Sequence, residues 1–289
     1  MSMIKKKQKC KGIAMILLAG FFFAGMTFFV RLSGDLPTMQ KAFFRNAVAA
    51  LAAVIMLMRT EEKFHIHEGC AHDLFMRSLC GTLGLICNFY AIDKMPISDA
   101  NMLNKLSPFF AIIMSTFLLK ERASKTEWGF VVAAFTGSLL VIKPSFSAEF
   151  VYALIGMLGG LGAGIAYTYV RRLGIRGERG PVIVMCFSLF SCLVSLPFVI
   201  LNYRPMTMDQ LLCLLLAGVC ATGGQFSITA AYTFAPAKEI SVFDYSQVVF
   251  AALLGYLFLG QLADSLSYLG YLVIIGTAVA KWIYTMKKE

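Results

Sequence analysis

Charge is what this chain has least of. Only 15% of its 289 residues are Asp, Glu, Lys or Arg, against about 25% in an ordinary soluble domain. Acidic residues are scarcer than basic ones, 16 against 26. No segment is long or polar enough to form a soluble domain. The eight cysteines form no CxxC pair, and Cys80, Cys87, Cys186, Cys192, Cys213 and Cys220 lie inside apolar runs. That excludes a disulfide framework and leaves them as small hydrophobes. His-Glu-x-x-His and Gly-x-Ser-x-Gly are both absent, which removes the usual zinc-protease and serine-hydrolase arrangements. An aspartyl protease needs two paired intramembrane carboxylates, and Asp244 has no convincing partner in the sequence. No loop resembles a selectivity filter. An intramembrane enzyme and a channel are therefore the weaker, different-class alternatives.

What the chain has in excess is apolar length: 58% of it is hydrophobic. A soluble fold would leave too much of that surface in water, whereas lipid can take the place of a core. About 20 mostly apolar residues suffice for a spanning helix. Ten such runs are present, at 12–31, 38–58, 74–93, 98–119, 126–143, 150–170, 181–202, 209–233, 240–260 and 265–284. The expected fold class is an all-α integral membrane protein. Lys5 to Val30 resembles a signal peptide, but the apolar run is too long and lacks a small-residue cleavage site. It reads as a retained first span.

The net charge of +10 does not point to nucleic acid, because no basic face with interleaved aromatics exists. The basic residues sit in short loops, as cytoplasmic segments require. With the N-terminus inside, the inner segments hold Lys5, Lys6, Lys7, Lys9, Lys11, Arg59, Lys63, Arg77, Lys120, Arg122, Lys125, Arg171 to Arg179, Lys238, Lys281, Lys287 and Lys288. The outer segments hold only Arg31, Lys41, Lys94, Lys143 and Arg204. Both termini are expected in the cytoplasm, in a bacterial plasma membrane.

The two halves align on themselves at a constant offset of 140 residues. Gly20 maps to Gly160, Arg31 to Arg171, Gly84 to Gly224, Pro96 to Pro236 and Phe110 to Phe250. Similar pairs are Asp99 with Glu239, Asn104 with Asp244 and Glu121 with Gln261. Residues 1–145 read as one five-helix repeat and 146–289 as a second. Five is odd, so the second copy enters the membrane inverted. Inverted repeats are a transporter architecture.

Several stretches resemble the drug/metabolite transporter superfamily, in its ten-span EamA-type branch. Ala42-Phe43-Phe44-Arg45 is similar to that family's second-helix signature. Leu106-Ser107-Pro108-Phe109-Phe110 through Leu119-Lys120-Glu121-Arg122 is similar to its fourth-helix signature. Val249 to Tyr256 and Gly260-Gln261 resemble the matching ninth helix. Gln261 stands where the family usually has glutamate, and Val248 where it usually has proline. Phe243-Asp244-Tyr245 resembles a subset that carries larger metabolites such as riboflavin or S-adenosylmethionine. The resemblance covers essentially the whole chain and implies transport, not catalysis.

Ionisable groups inside spans are costly and by default functional. Helix 4 carries Asn101, Asn104, Lys105 and Pro108 at i, i+3, i+4 and i+7, on one face. Helix 9 carries Ser241, Asp244, Tyr245 and Val248 at the same spacing. For the Asn and Ser residues, interhelical hydrogen bonding is an equal alternative. Counting from the predicted helix starts puts Lys105 in the outer half and Asp244 in the inner half, about 10–15 Å apart along the normal. Direct pairing is not expected; they should bracket a central cavity. Arg45 should attract a carboxylate or phosphate, or else snorkel or bind a loop carbonyl. Asn88 and Tyr90 on helix 3, Tyr167 on helix 6, and Gln225 and Tyr232 on helix 8 add polar tips to aromatic walls. Gly156, Gly160 and Gly164, with Gly20 and Ala24, suit close helix approach. His65, His67, Cys70 and His72 match no firm metal spacing and read as a solvated loop.

The expected function is secondary-active, alternating-access transport of small organic metabolites, amino-acid-like or otherwise polar. The alternative is export of hydrophobic organic cations, for which Asp244 alone would suffice. The implied partners are a small-molecule substrate and the bilayer; a coupling proton and a monomeric state are compatible with both readings. No cofactor or metal is implied. The charge asymmetry predicts that reporter fusions place the C-terminus inside and the loop at Lys94 outside. A C-terminus on the outer side would overturn the inverted arrangement.

Overall fold

In hydrocarbon every backbone N–H and C=O must be satisfied internally, so the apolar runs have no option but helix. The computed structural model describes residues 2–94, 97–144, 150–260 and 262–287. Pro96 and Gln261 lie outside these residues, as does the side chain of Asp99. The helices are α1 (Ser2–Leu32), α2 (Thr38–Met58), α3 (Ala71–Lys94), α4 (Ile97–Asn104), α5 (Ser107–Leu118), α6 (Lys125–Ile142), α7 (Phe150–Ile175), α8 (Gly180–Leu201), α9 (Met208–Phe234), α10 (Ala237–Ile240), α11 (Ser246–Leu259) and α12 (Ser265–Lys287). A 3-10 segment, Ser241–Tyr245, joins α10 to α11.

Local chemistry sets the ends. Ser124 and Glu127 form a capping box at the start of α6, and Thr207 and Gln210 do the same for α9. Each arrangement satisfies two orphan N–H groups. Gly260 ends α11 in the left-handed conformation, φ 62°, which glycine adopts without penalty.

Among the described residues, nine helical stretches are long and apolar enough to cross a membrane, with α10, the 3-10 segment and α11 forming one of them. The tenth crossing is α4 followed by α5. It is interrupted at Lys105 and Leu106, so neither piece qualifies alone. Proline near the start of α5 explains the interruption: Pro108 has no N–H to give to the Asn104 carbonyl and its ring would clash with it. The second break needs no proline. Val248 stands at the matching position, and the backbone instead tightens into the 3-10 segment.

The pairing of helices is nearly unchanged when the halves are exchanged. Residue matching makes α7 the counterpart of α1, α8 of α2, α9 of α3, α10–α11 of α4–α5, and α12 of α6. The main packings are α1 on α9 and α3 on α7, then α2 on α8 and α6 on α12, then α2 on α9, α5 on α7 and α1 on α11, then α3 on α8. Each is its own image or the image of another, as two inverted five-helix repeats require. Glycine makes the tightest of these possible. A Cβ at Gly160 would lie 2.7 Å from the Leu103 carbonyl oxygen, and one at its counterpart Gly20 would lie 2.8 Å from Ser246 Oγ. Each glycine therefore seats a helix against the break in the opposite half.

One face carries both termini, with Cys10 Sγ 3.9 Å from Met286 Sδ. Ion pairs lace that face: Lys9–Glu239, Glu62–Arg179, Asp73 with Arg172 and Arg176, and Glu121–Arg171. On the opposite face Lys143 pairs with Asp264, and hydrogen bonds from Lys143 and Ser267 hold the Asp264 carboxyl well below the usual carboxylate range. Two residues counted above as loop cations are in fact interior: Arg77 and Lys281 are 2% and 1% exposed, and Lys281 lies 3.8 Å from Glu127.

Gly164 tests the glycine packing. A Cβ there would meet Phe110 Cβ at 2.6 Å, Ala111 N at 2.8 Å and Ser107 O at 2.9 Å. Gly164→Ala should cost about 1–3 kcal/mol, as overpacking does, and lower the melting temperature in detergent. Gly129→Ala, with nothing within 4 Å, should leave it unchanged or raise it.

Candidate functional site

The two helix breaks meet. Lys105 Nζ lies 3.2 Å from Asp244 Oδ2 and donates to the Asp244 carbonyl at 3.4 Å and to Gln247 Oε1 at 2.7 Å. Tyr245, the counterpart of Lys105, donates its hydroxyl to the Lys105 carbonyl at 3.0 Å. The separation expected from sequence is therefore wrong. That expectation started both helices near the surface. The segment after the first break, α5, rises about 18 Å, and α11 after the second about 21 Å, in opposite directions. Their sum exceeds the ~30 Å core, so the breaks must overlap in the middle.

Above this crossing lies a cavity of about 250 Å³, near the small end of ligand pockets, which run to ~300–1,000 Å³. Its mouth is at Val30, Thr38 and Lys41, beside the α1–α2 connection. Arg77, Phe187, Gln225 and Gln247 form its deeper part. Of the sequence candidates, Arg45, Asn88, Asn101, Asn104, Tyr167 and Gln225 line it. Lys105 and Asp244 sit beneath it, reached through Gln247. Tyr245, Ser241 and Tyr232 are fully buried and do not line it. Tyr232 stacks on Tyr167, centroids 4.9 Å apart and planes within 15°. Tyr90 is 42% exposed, lies against Tyr152 and is not among the lining residues. Of the histidines, His67 faces Glu62 and His72 faces Asp73.

Sequence reasoning missed Arg77 and Gln247. Arg77 lies over the Phe187 ring, 4.1 Å from its centroid, and donates to Gln225 Oε1 at 3.3 Å. Gly81 makes the room: a Cβ there would collide with the Arg77 guanidinium and lie 2.9 Å from Phe187 Cε2. The signal was present, since an arginine inside a predicted span is itself a site marker. Gln247, three residues past Asp244 and so on its side of a helix, was missed because the stripe was drawn from the polar positions shared with helix 4, where its counterpart is Ser107.

The cavity has an asymmetric setting. α7 packs on α9, and the Arg171 guanidinium fastens their ends by donating to the Thr233 carbonyl at 2.8 Å while pairing with Glu121 at 3.2 Å. Among the described residues the corresponding pair, α1 and α3, makes no comparable packing; both line the cavity instead.

A duplicated, membrane-spanning bundle of this kind has known relatives. The model of the EamA-like transporter family matches residues 10–143 and again residues 150–280. The chain belongs to the EamA-like transporter family. It is 32% identical over 272 residues to a Pseudomonas aeruginosa protein named pseudopaline exporter CntI, covering 93% of this chain and 95% of that one. It is 25% identical to human solute carrier family 35 member G1, covering 98% and 83%. It is 24% identical to a Rhizobium johnstonii riboflavin transporter, covering 96% and 93%. A solved crystal structure shares the fold with a TM-score of 0.77, at 15% identity over 96% of this chain and 98% of the other. This EamA-family chain is a multi-pass membrane transporter of a small-molecule substrate, not an enzyme.

The Lys105–Asp244 pair changes what substitution should do. Asp244→Asn keeps the shape of the side chain and removes its charge. In the structure it would strand a buried ammonium, and breaking a buried pair costs about 3–5 kcal/mol. Asp244→Asn should therefore lower the melting temperature markedly. The Lys105→Met, Asp244→Asn double variant should recover part of the loss. A single variant as stable as the wild type would show that Asp244 does not balance Lys105.

Proposed function

We propose that this protein is a secondary-active carrier that moves a small polar organic solute by alternating access through the cavity between α1 and α3. The observation that carries this reading is a symmetric bundle held in an asymmetric state. α1 and α3 are parted while their counterparts α7 and α9 are closed. Exchanging the conformations of the two repeats, 1–145 and 146–289, would close the first opening and create an equivalent one on the termini face. Relatives named as a pseudopaline exporter and a riboflavin transporter support a solute carrier. The termini face is the cytoplasmic face of a plasma membrane in this reading, following the positive-inside rule. Export of hydrophobic cations has less support. Asp244, the carboxylate that reading relies on, is already balanced by Lys105.

The symmetry supplies its own test. Phe89 lines the cavity and its counterpart Thr229 is buried, 1% exposed. In a cysteine-free background, a membrane-impermeant maleimide should label Phe89→Cys from the α1–α2 loop side and spare Thr229→Cys on the other. Arg171→Gln, which releases the α7–α9 fastening, should shift labelling at least about fivefold toward Thr229→Cys, a bias of roughly 1 kcal/mol. The Phe89→Cys signal should fall in step. Both positions labelling together from the α1–α2 loop side alone would mean a continuous channel and end the alternating-access reading.

A further inference from the structure

The cavity is charged in one sense only. Among the described residues that line it are Lys41, Arg45 and Arg77, and no aspartate or glutamate. Lys41 donates to the Gly34 carbonyl at the mouth. The two arginines are different. Among the described residues, no hydrogen bond or ion pair reaches the Arg45 guanidinium, and its Nε is buried without a partner. Arg77 is 2% exposed; its contacts are the neutral Gln225 amide and the Phe187 ring, and its Nε is also unpartnered. A buried cation that no carboxylate balances is destabilising, because desolvation is repaid only by an opposite charge. The acid that would normally repay it has to arrive from outside the chain.

The levels of the two groups add a constraint. Arg45 is seven residues into α2 and Arg77 six residues into α3, so they project from about 10 Å below opposite faces of the bundle. The two helices run in opposite directions past the same cavity. One guanidinium therefore serves its upper part and the other its floor. Amide groups of Asn88, Asn101 and Asn104 lie among the lining residues, and the Asn88 carbonyl oxygen is a buried acceptor with no partner. A guanidinium presents a planar fork that matches a carboxylate bidentately.

We propose that the cargo is an organic anion with at least two acidic groups several ångströms apart, one held by Arg45 and one by Arg77. The inference rests on the cavity being the transport site and names the class of solute it takes. Hydrogen-bond donors along the solute would meet the Asn88 carbonyl. Lys41 adds positive potential at the mouth, where it would draw such a solute in.

The test is binding to the purified protein in low-salt detergent buffer, read by thermal shift and calorimetry. The probes are succinate, glutarate, adipate and tricarballylate, with butyrate as a single-acid control and tetraphenylphosphonium as a cation. At least one di- or tricarboxylate should bind at least tenfold more tightly than butyrate. Arg45→Gln and Arg77→Gln should each bring its affinity to the butyrate level, and Arg45→Lys should restore only part. Arg45→Gln should also raise the melting temperature of the empty protein, by at least about 2 °C, since it removes a cation with no partner to lose. That variant decides the matter alone if Arg77→Gln does not fold. Failure of all four acids to stabilise the wild type, tighter binding of tetraphenylphosphonium, or variants that bind the acids like the wild type would each overturn the proposal. The labelling of Phe89→Cys and Thr229→Cys is independent of cargo, so an alternating carrier with another cargo fails only here.

Discussion

A helix that breaks inside a bilayer exposes backbone groups that lipid cannot satisfy, and this fold breaks two. The breaks are stitched to one another. Lys105 gives its ammonium to the Asp244 carbonyl and carboxylate, and Tyr245 gives its hydroxyl to the Lys105 carbonyl. Each residue supplies what the other break lacks. The stitch forces α4–α5 and α10–α11 to cross near the middle of the membrane. Gly160 of α7 and Gly20 of α1 then seat their helices against the crossing from opposite halves. The cavity can exist because polar backbone at its floor has been dealt with by this exchange.

The same stitch explains how a nearly symmetric bundle can hold an asymmetric state. The crossing belongs equally to both halves, so it imposes no preference for opening one side or the other. What differs among the described residues is that α7 packs on α9 while α1 does not pack on α3 in the same way. The Tyr167–Tyr232 stack and the Arg171 fastening to Thr233 and Glu121 close α7 on α9. These contacts are polar or aromatic. The glycine seats, by contrast, are backbone against side chain or backbone and do not tolerate an added atom.

Much of the fold was legible because lipid makes a simple demand. Apolar runs of about 20 residues must be helices, and the predicted spans 38–58, 126–143 and 181–202 agree with α2, α6 and α8 to within one residue at each end. The breaks were not legible, because the polar stripes of helices 4 and 9 fit an uninterrupted α-helical spacing equally well. Reading them as continuous from the surface displaced Lys105 and Asp244 from each other. Arg77 was hidden for another reason: it falls close to a predicted span start, where a cation is ordinarily a loop charge obeying the positive-inside rule. Tyr90 failed because an aromatic on a spanning helix can face lipid or cavity, and periodicity alone does not distinguish a lipid-facing stripe from a cavity-facing one. The placement of the polar amides Asn88, Asn101, Asn104 and Gln225 on the cavity wall follows from the same physics in reverse, since amides avoid lipid.

Symmetry also separates what the backbone does from what the side chains recognise. The residues that seat and cross the helices have counterparts of similar kind: Gly20 with Gly160, Asn104 with Asp244, and a large polar-tipped Lys105 with Tyr245. The cavity cations do not. The counterparts of Lys41, Arg45 and Arg77 are Pro181, Met185 and Ala217. Duplication therefore does not account for these charges. The positions that seat and cross the helices are thus written twice, and the cavity cations once.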